Sequence, residues 1–374
     1  MRLLPPTLDL AFEPGSRDMD IAVMMSGGVD SSVAAMLLRD AGWNVVGITM
    51  NIPLAQGCDG KRSCCGMEAA YVCRDLGLPH YYVDAREEFE ELVVEPFRRS
   101  YLQGRTPSPC IDCNTLLKFG ALWDFAAAEL GIRNFATGHY ARIHRDGEDY
   151  YLARAGDTSR DQSYFLCGVP LGKLPHLHLP VGDLTKDKTR RLARKAGLLV
   201  ASRQDSMELC FAGEGDYRAA LPPEASRPGP ICDTSGNVIG WHNGIAAFTV
   251  GQRKGIGIAA KQPLFVIAVR PEDNTVVVGS RDEAMTNTVS ASEVNILISD
   301  ELRPGARAIG KIRSQGFGEP CVVTRFEDGV LQVIFDEPVF APTPGQRLVL
   351  YDSGGHVIVG GVIIAMSVPD SPCE

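Results

Sequence analysis

The chain has 374 residues, 45% of them hydrophobic and 22% charged, which is the composition of an ordinary globular protein of roughly two or three domains. No apolar run is long enough to span a bilayer, which excludes the membrane-embedded class. The formal net charge of −9 excludes a uniformly basic nucleic-acid-binding surface, although a local basic stripe on an acidic protein would still bind phosphates.

The first 18 residues contain no continuous apolar core and carry Glu13 and Asp18, so they lack the pattern of a signal peptide. We interpret residues 1–18 as a loose leader. The sequence therefore predicts a cytoplasmic protein without a membrane partner.

Strand and helix patterns alternate over the first 140 residues. The predicted strands are residues 22–25, 45–50, 80–85 and 134–140. The predicted helices run up to Gly42, over 67–77, over 87–104 with a kink at Pro96, and over 115–131. This order predicts an α/β domain with a parallel sheet, helices on both faces, and ligands beyond the carboxyl ends of the strands.

The pattern changes after residue 140. A turn at Asp146-Gly147 between alternating residues predicts a hairpin, and an amphipathic helix follows over residues 184–199. From about Pro228, short alternating β segments dominate, at 264–269, 275–280, 321–326, 331–336 and 347–352. We therefore expect an α/β domain over 19–215, a small central β-rich domain over 216–285 and a C-terminal β-barrel over 286–374.

Basic residues concentrate on the helix predicted at 184–199. They are Lys186, Lys188, Arg190, Arg191, Arg194 and Lys195. This stripe would suit a nucleic-acid backbone, but it would equally suit the solvated face of an amphipathic helix.

A glycine-rich loop, SGGVDS (26–31), follows the first strand and opens a helix. Glycines let the backbone approach a phosphate closely, and the free N–H groups of a helix N-terminus favour an anion there. The loop lacks the GK[ST] ending of a Walker A motif. It resembles the PP-loop of ATP pyrophosphatases, a superfamily that includes GMP and NAD synthetases, so ATP and Mg²⁺ are the expected cofactors.

Eleven cysteines are many for a cytoplasmic chain, and they cluster. Cys58, Cys64, Cys65 and Cys73 lie close together, and Cys110 and Cys113 form a CxxC. In a reducing compartment such clusters indicate metal or redox chemistry before structural disulfides. Cys113 precedes a predicted helix, whose dipole would lower the pKa of its thiol. Taken singly, each cysteine is equally a small buried residue or a loop thiol.

Six motifs occur in a fixed order. They are GRTPSP (104–109) followed by Cys113-Asn114, ATGHY (136–140), DQSYFL (161–166), DSMELCF (205–211), TVGQRKGIGI (249–258) and TPGQ (343–346). With the loop at 26–31, the chain resembles the tRNA-specific 2-thiouridylases over about residues 20–366.

This resemblance implies an enzyme that thiolates the wobble uridine in a tRNA anticodon stem-loop. Cys113 and Cys210 would be catalytic, Cys210 as the persulfide carrier. The residues implied at ATP are Met24, Met25, Ser26, Gly27, Gly28, Val29, Asp30, Ser31, Met50 and Gly138. Those implied at the target base are Ser108, Pro109 and Cys110, and those implied at the rest of the tRNA are His139, Arg160, Asp161, Gln162, Arg313, Ser314 and Gln346.

The implied chemistry is coherent. Adenylation of the uridine 2-oxygen makes a good leaving group, and a persulfide on Cys210 then attacks carbon 2. Cys113 can attack the persulfide, which leaves a Cys113–Cys210 disulfide to be reduced. A sulfur donor such as a cysteine desulfurase or a sulfur-relay protein is the expected partner.

One residue departs from the family pattern, because many members carry aspartate where this chain has Cys110. Cys110, Cys113 and Cys210 offer three thiolates, which is enough for a [4Fe–4S] cluster with one open iron. The CxxC would otherwise be a redox pair, or one catalytic thiol beside a bystander.

Two other functions compete with thiolation. An adenylating amide-forming ligase of the GMP-synthetase type would need an ammonia source, and no spare domain carries a glutaminase signature. A non-catalytic RNA-binding module would not need the intact 26–31 loop together with both cysteines.

Overall fold

The computed structural model describes residues 1–7, 10–16, 18–53, 67–203, 209–211 and 217–364. The chain forms two compact units. The first unit contains residues 1–93 and 110–216, and the second contains residues 94–109 and 217–374. None of the helices in the described ranges is both long and apolar enough to cross a membrane.

A six-stranded sheet is the centre of the first unit. Its strands are β1 (Arg2–Leu3), β2 (Asp20–Met24), β3 (Asn44–Asn51), β4 (His80–Asp84), β5 (Asn134–Ala136) and β8 (Leu177–His178). They lie in the order β1-β4-β3-β2-β5-β8, with β1 antiparallel and the others parallel. The hairpin of β6 (Ala141–Asp146) and β7 (Asp149–Arg154) turns at Gly147, as predicted.

Helices cover this sheet because its central strands, β2 and β3, are mostly apolar and are buried along almost their whole length. The helices of the first unit are α1 (Val29–Asp40), α2 (Met67–Leu76), α3 (Arg86–Phe89), α5 (Pro109–Asp112), α6 (Trp123–Leu130) and α7 (Lys186–Lys195), and a further helix, α4 (Glu95–Leu102), belongs to the second unit. Ile21, Val23, Val33 and Val45 are completely or almost completely buried in the resulting core. The predicted α/β class with a parallel sheet is therefore confirmed.

Two pairs of consecutive helices are joined by π-helical segments. The first, Glu90–Val94, links α3 to α4 just before Pro96. Proline has no N–H to continue the α-helical hydrogen bonds, so the predicted irregularity at Pro96 takes the form of a wider turn. The second, Cys113–Leu122, links α5 to α6 and contains no proline.

The leader is not loose in its described residues, which corrects the sequence interpretation. Arg2 and Leu3 pair with β4, and the Leu4 and Thr7 N–H groups donate to the carbonyls of Tyr82 and His80. β4 would otherwise be a sheet edge with unpaired backbone groups, and an added strand satisfies them.

The second unit is built from two β structures. The strands β9 (Gly229–Cys232), β10 (Val238–His242), β11 (Phe265–Arg270) and β12 (Thr275–Gly279) form a sheet in the order β10-β9-β12-β11. The strands β13 (Met285–Ile296), β14 (Arg307–Lys311), β15 (Glu319–Glu327), β16 (Val330–Phe340), β17 (Arg347–Tyr351) and β18 (Val357–Ile363) close into a barrel. Alternate residues such as Val323, Val333 and Leu350 fill its interior. The predicted C-terminal barrel is confirmed.

Candidate functional site

The predicted ATP loop, residues 26–31, lies between the end of β2 and the first turn of α1. Gly27 has a φ of +69°, and Gly28 is the N-cap of α1 without a side-chain capping bond. The hydroxyl groups of Ser26 and Ser31 lie 3.2 Å apart across the loop. An uncapped helix N-terminus at the carboxyl end of a central parallel strand is a site suited to a phosphate group.

Asp30 in this loop is held by two other segments. Its carboxylate accepts hydrogen bonds from the Tyr140 hydroxyl (2.8 Å) and from the Lys186 ammonium (2.9 and 2.7 Å). Tyr140 ends the ATGHY motif, and Lys186 begins α7. Asp30 therefore ties the loop to both, and the sequence patterns had not paired these residues.

Lys186 is therefore not part of the exposed basic stripe, which corrects the predicted set of basic residues on this helix. It is 7% exposed, because the Asp30 carboxylate and the Tyr140 ring surround its ammonium. Arg190 is half-buried, whereas Lys188, Arg191, Arg194 and Lys195 are exposed on the same helix. These exposed residues are the part of the stripe that solvent or a phosphate backbone can reach.

Gly138 lies directly against the ATP loop. A Cβ atom at this position would lie 2.4 Å from the backbone nitrogen of Ser31, which no side chain can occupy. The glycine of the ATGHY motif thus allows the backbone after β5 to touch the first turn of α1. Met25 and Met50 are 1% and 5% exposed beside this junction, at the ends of β2 and β3.

Arg203 is a loop residue that sequence reasoning missed. Its guanidinium donates to the Gly27 carbonyl (2.9 Å) and lies 3.5 Å from the Glu68 carboxylate. No motif surrounds it, so only the folded chain places this positive charge at the ATP loop.

Cys113 lies inside a helix, not beside a helix N-terminus as predicted. The helix begins four residues earlier at Pro109, and the π-helical segment begins at Cys113 itself. The residue is 8% exposed, and burial raises the pKa of its thiol instead of lowering it. The expected helix-dipole effect is therefore wrong for this cysteine, because burial is the larger influence. Cys110 is exposed.

Lys118 is a second residue that the sequence patterns did not single out. Its positive charge acts against burial and lowers the pKa of Cys113, and its ammonium donates to the Asn114 side chain at 2.8 Å. Residues five apart differ by about 140° around an α-helix, but the i→i+5 bonding of a π-helix brings them to nearly one turn. The π-helical segment thus sets Lys118 on the same side as Cys113.

His139 is neutral in this environment. Burial and the charge of Lys118 lower its pKa to about 3, and its Nδ1 shares a 2.8 Å hydrogen bond with the Thr137 hydroxyl. If His139 contacts tRNA as predicted, it does so as a hydrogen-bonding ring and not as a cation.

Cys210 is described together with its two neighbours only. It is half-buried, and the Phe211 ring packs edge-on against Phe89 of α3, with centroids 5.8 Å apart. Residues 205–208 of the same motif lie outside the described residues, as do Cys58, Cys64 and Cys65.

Asp161 and Gln162, both predicted tRNA contacts, have side chains with partners inside the protein. Asp161 accepts bonds from the Ala155 and Ser163 N–H groups and from the Ser163 hydroxyl. The Gln162 side-chain oxygen accepts from the Tyr140 N–H at 2.8 Å. Arg160, which directly precedes these two residues, is exposed and stays a predicted tRNA contact.

The other predicted tRNA contacts belong to the second unit. Arg313 and Ser314 are exposed after β14, and the Arg313 guanidinium bonds to the Phe340 carbonyl. Ser108 and Gln346 are half-buried, and Pro109 is buried. The Gln346 amide donates to two backbone carbonyls of the segment before Ser108.

Comparison with known proteins accounts for nearly the whole chain. Three family models match: a tRNA methyl transferase HUP domain over residues 19–214, a tRNA methyl transferase PRC-barrel domain over 223–280 and an aminomethyltransferase beta-barrel domain over 286–364. The tRNA-specific 2-thiouridylase MnmA of Acetivibrio thermocellus is 40% identical, over 92% of this chain and 98% of the relative. The chain belongs to the tRNA-specific 2-thiouridylase family.

Other members of the family are equally similar. Those of Moorella thermoacetica and Trichormus variabilis are 42% and 41% identical and cover 91% and 92% of the chain and 97% and 98% of the relative. The domain models carry the word methyl transferase, but these full-length relatives are named thiouridylases. The amide-forming ligase alternative is therefore not favoured.

One of the solved structures with a partial likeness to this chain contains an iron–sulfur cluster. The U34-tRNA thiolase NcsA from Methanococcus maripaludis with its [4Fe-4S] cluster is 17% identical, with a TM-score of 0.34 over 52% of this chain and 61% of its own. A likeness this small does not carry the cluster over to this chain. In the part of the chain that is described, no group of three or more cysteine, histidine or acidic residues is arranged to hold a metal.

Proposed function

We propose that this protein is a tRNA-uridine 2-sulfurtransferase that converts the wobble uridine to 2-thiouridine and releases AMP and pyrophosphate. One observation carries the proposal: a glycine-rich loop suited to phosphate and two free cysteines at family motif positions, Cys113 and Cys210, belong to the same compact unit of a 2-thiouridylase family member. The activity would be cytoplasmic, where thiols stay reduced.

ATP would bind with its phosphates at the ATP loop. The backbone N–H groups at Gly27 and Gly28 and the α1 N-terminus would stabilise their negative charge. Arg203, already at the Gly27 carbonyl, adds a positive charge there. Mg²⁺ would enter with the nucleotide, bound mainly by its phosphate oxygens, since Asp30 is already paired with Lys186.

The reaction balances without a metal cluster. The uridine 2-oxygen attacks the α-phosphorus of ATP, and pyrophosphate leaves. The terminal sulfur of a Cys210 persulfide attacks carbon 2, and AMP leaves with the original oxygen. The Cys113 thiolate then attacks the Cys210 sulfur, which forms a Cys113–Cys210 disulfide and leaves the other sulfur on the base. A dithiol reductant restores both thiols, and a persulfide-bearing donor protein reloads Cys210.

The iron–sulfur route remains a separate hypothesis. It would require Cys110, Cys113 and Cys210 around one cluster, and these described residues do not form a metal-binding group. We therefore assign no step to a cluster. Anaerobic purification followed by iron and acid-labile sulfide analysis distinguishes the routes, because the persulfide route predicts full activity in iron-free protein.

The decisive experiment is single-turnover thiolation with labelled ATP, unmodified tRNA and a persulfide donor. Wild-type protein should release AMP only with tRNA and should form 2-thiouridine. Cys210→Ser should form no 2-thiouridine, because a hydroxyl cannot carry the transferable sulfur. The matched control is Cys321→Ala, which removes a buried barrel thiol outside the proposed chemistry and should retain thiolation. Normal 2-thiouridine formation by Cys210→Ser would refute the assignment of the persulfide to Cys210. Release of AMP without tRNA would refute tRNA as the substrate that is adenylated.

Binding of tRNA to an acidic protein needs local positive charge. The exposed residues Lys188, Arg191 and Lys195 on α7 are the proposed phosphate contacts. A variant with all three changed to glutamine should bind every substrate tRNA more weakly. The slope of the logarithm of its binding constant against the logarithm of salt concentration should be shallower by about three phosphate contacts. An unchanged dissociation constant would mean that this helix face is only solvated.

A further inference from the structure

The loop that leads to the CxxC is held by the C-terminal barrel. This loop, residues 104–109, carries the GRTPSP motif, and its Thr106 N–H donates to the Pro344 carbonyl at 2.8 Å. The Gln346 side-chain amide donates to the carbonyls of Thr106 (2.9 Å) and Pro107 (3.1 Å). Both partners belong to the second unit, so the TPGQ motif holds both the N–H group and the carbonyl group of Thr106.

The approach is so close that it depends on a glycine. Gly345 has a φ of +91°, and a Cβ there would lie 2.8 Å from the Thr106 carbonyl oxygen and 3.1 Å from its nitrogen. The central domain adds a further bond, from the Thr106 hydroxyl to the Thr249 hydroxyl at 3.3 Å. The motifs TPGQ and TVGQ, 94 residues apart in the sequence, thus meet at one residue of the loop.

The chemistry of the Gln346 amide determines which of its atoms stay available. An amide nitrogen has two hydrogens to donate, and two carbonyls accept them here. The reverse orientation would place the amide oxygen against two carbonyl oxygens and is unfavourable. Both N–H groups of Gln346 are therefore used inside the protein, and its side-chain oxygen can still accept a hydrogen bond.

We propose that Gln346 is a positioning residue, which acts on sulfur transfer by holding the 104–109 loop in place through its two N–H groups. The inference rests on the proposed function and adds a role for this residue to the tRNA contact that family resemblance implies. Ser108 and Cys110 follow Pro107 directly in the chain. Freedom at Thr106 and Pro107 would spread the positions of the target-base residues, and small misplacements of reacting groups lower rates.

The test separates catalysis from binding. Gln346→Met has nearly the same volume but no hydrogen-bond donor. It should lower kcat for thiolation at saturating tRNA about tenfold, the effect expected for two neutral hydrogen bonds. The tRNA dissociation constant is measured separately. Hydrogen exchange at the Thr106 amide should accelerate, which no loss of an RNA contact would cause. Gln346→Asn keeps the amide but draws it back, and should behave in the same way.

Gln332→Met is the matched control. Gln332 lies in the barrel and donates to Ser290 on a neighbouring strand at 3.3 Å, so its loss should leave kcat and Thr106 exchange unchanged. Weaker tRNA binding with an unchanged kcat in Gln346→Met would overturn the proposal, as would unchanged exchange at Thr106. If the wild-type protein formed no 2-thiouridine, the proposed function would fail, but the exchange measurement would still decide whether Gln346 anchors the loop.

Discussion

Replacing Lys186 by methionine tests whether the ATP loop depends on an ion pair that crosses the first unit. The Lys186 side chain is 8% exposed, and its Nζ lies 2.7 Å from one oxygen of the Asp30 carboxylate. Methionine fills much of the same volume and keeps the apolar part of the side chain, but it removes the charge. Asp30 would then keep one neutral partner, the Tyr140 hydroxyl at 2.8 Å.

The expected cost follows from the burial of the charge left behind. Breaking a buried ion pair by removing one partner typically costs about 3–5 kcal/mol. The Asp30 side chain is 28% exposed and retains Tyr140, so water and one hydrogen bond relieve part of that cost. We expect Lys186→Met to lower the free energy of unfolding of the first unit by about 2–3 kcal/mol.

The double variant Asp30→Asn/Lys186→Met isolates the cause of this loss. It removes both charges, so no uncompensated carboxylate remains, and it should recover to within about 1 kcal/mol of wild type. A recovery would show that Asp30 stabilises the loop through Lys186. It would also mean that lost ATP turnover in an Asp30→Ala variant cannot be assigned to phosphate binding alone.

The assay is urea unfolding followed by hydrogen exchange in peptides from Val29–Asp40, which separates the first unit from the second. Lys188→Met is the control, because Lys188 is exposed on the same helix and its loss should change stability by less than about 0.5 kcal/mol. If Lys186→Met and Lys188→Met were equally stable, the pair would contribute nothing and the reasoning from burial would be refuted.

Three further predictions follow from single contacts. Lys118→Met should raise the pH midpoint for alkylation of Cys113, since the charge that opposes burial is gone, and Lys118→Arg should restore it; equal midpoints in all three proteins would contradict the role of this charge. Gly138→Ala should destabilise the first unit by about 3 kcal/mol in thermal unfolding, because the new methyl group meets the Ser31 backbone; a melting temperature like that of wild type would show that the loop yields. Burial lowers the pKa of His80 from 6.5 to about 4, so its neutral form stabilises the fold, and this stability is lost as the pH falls from 6.5 towards 4; His80→Gln should remove about 2 kcal/mol of the loss between pH 7 and pH 5, and an unchanged pH dependence would disprove the assignment.

The local patterns predicted most of the fold because each element has its own signal. Strands such as β2 and β3 are continuous apolar runs, and the 26–31 loop lies between a strand and a helix as predicted. β13 was missed because its sequence, MTNTVSASEVNI, is mostly polar and its burial alternates only weakly. The leader strand was missed for a different reason: Arg2 and Leu3 form a strand only because β4 offers an open edge.

The candidate site was predictable at its motifs but not at the contacts between them. Asp30 and Lys186 are 156 residues apart, and Gln346 and Thr106 are 240 apart. Lys186 does not differ in local sequence from a solvated residue, and the TPGQ motif marks Gln346 without indicating its partner. Their roles depend on burial and on the partner that the fold supplies, which a single sequence does not reveal.

For Cys113, the helix-dipole rule predicts a pKa shift in the wrong direction because the helix starts earlier than the sequence pattern indicates. The sequence placed the helix start after the CxxC, where the dipole would favour a thiolate, but Pro109 starts the helix four residues earlier. Inside the helix, burial makes the protonated thiol the more stable form, and the opposing charge comes from Lys118. In an α-helix Lys118 would point away from Cys113, whereas the π-helical segment places both residues on the same side of the helix. The reactivity of this cysteine therefore depends on helix register more than on its distance from a helix terminus.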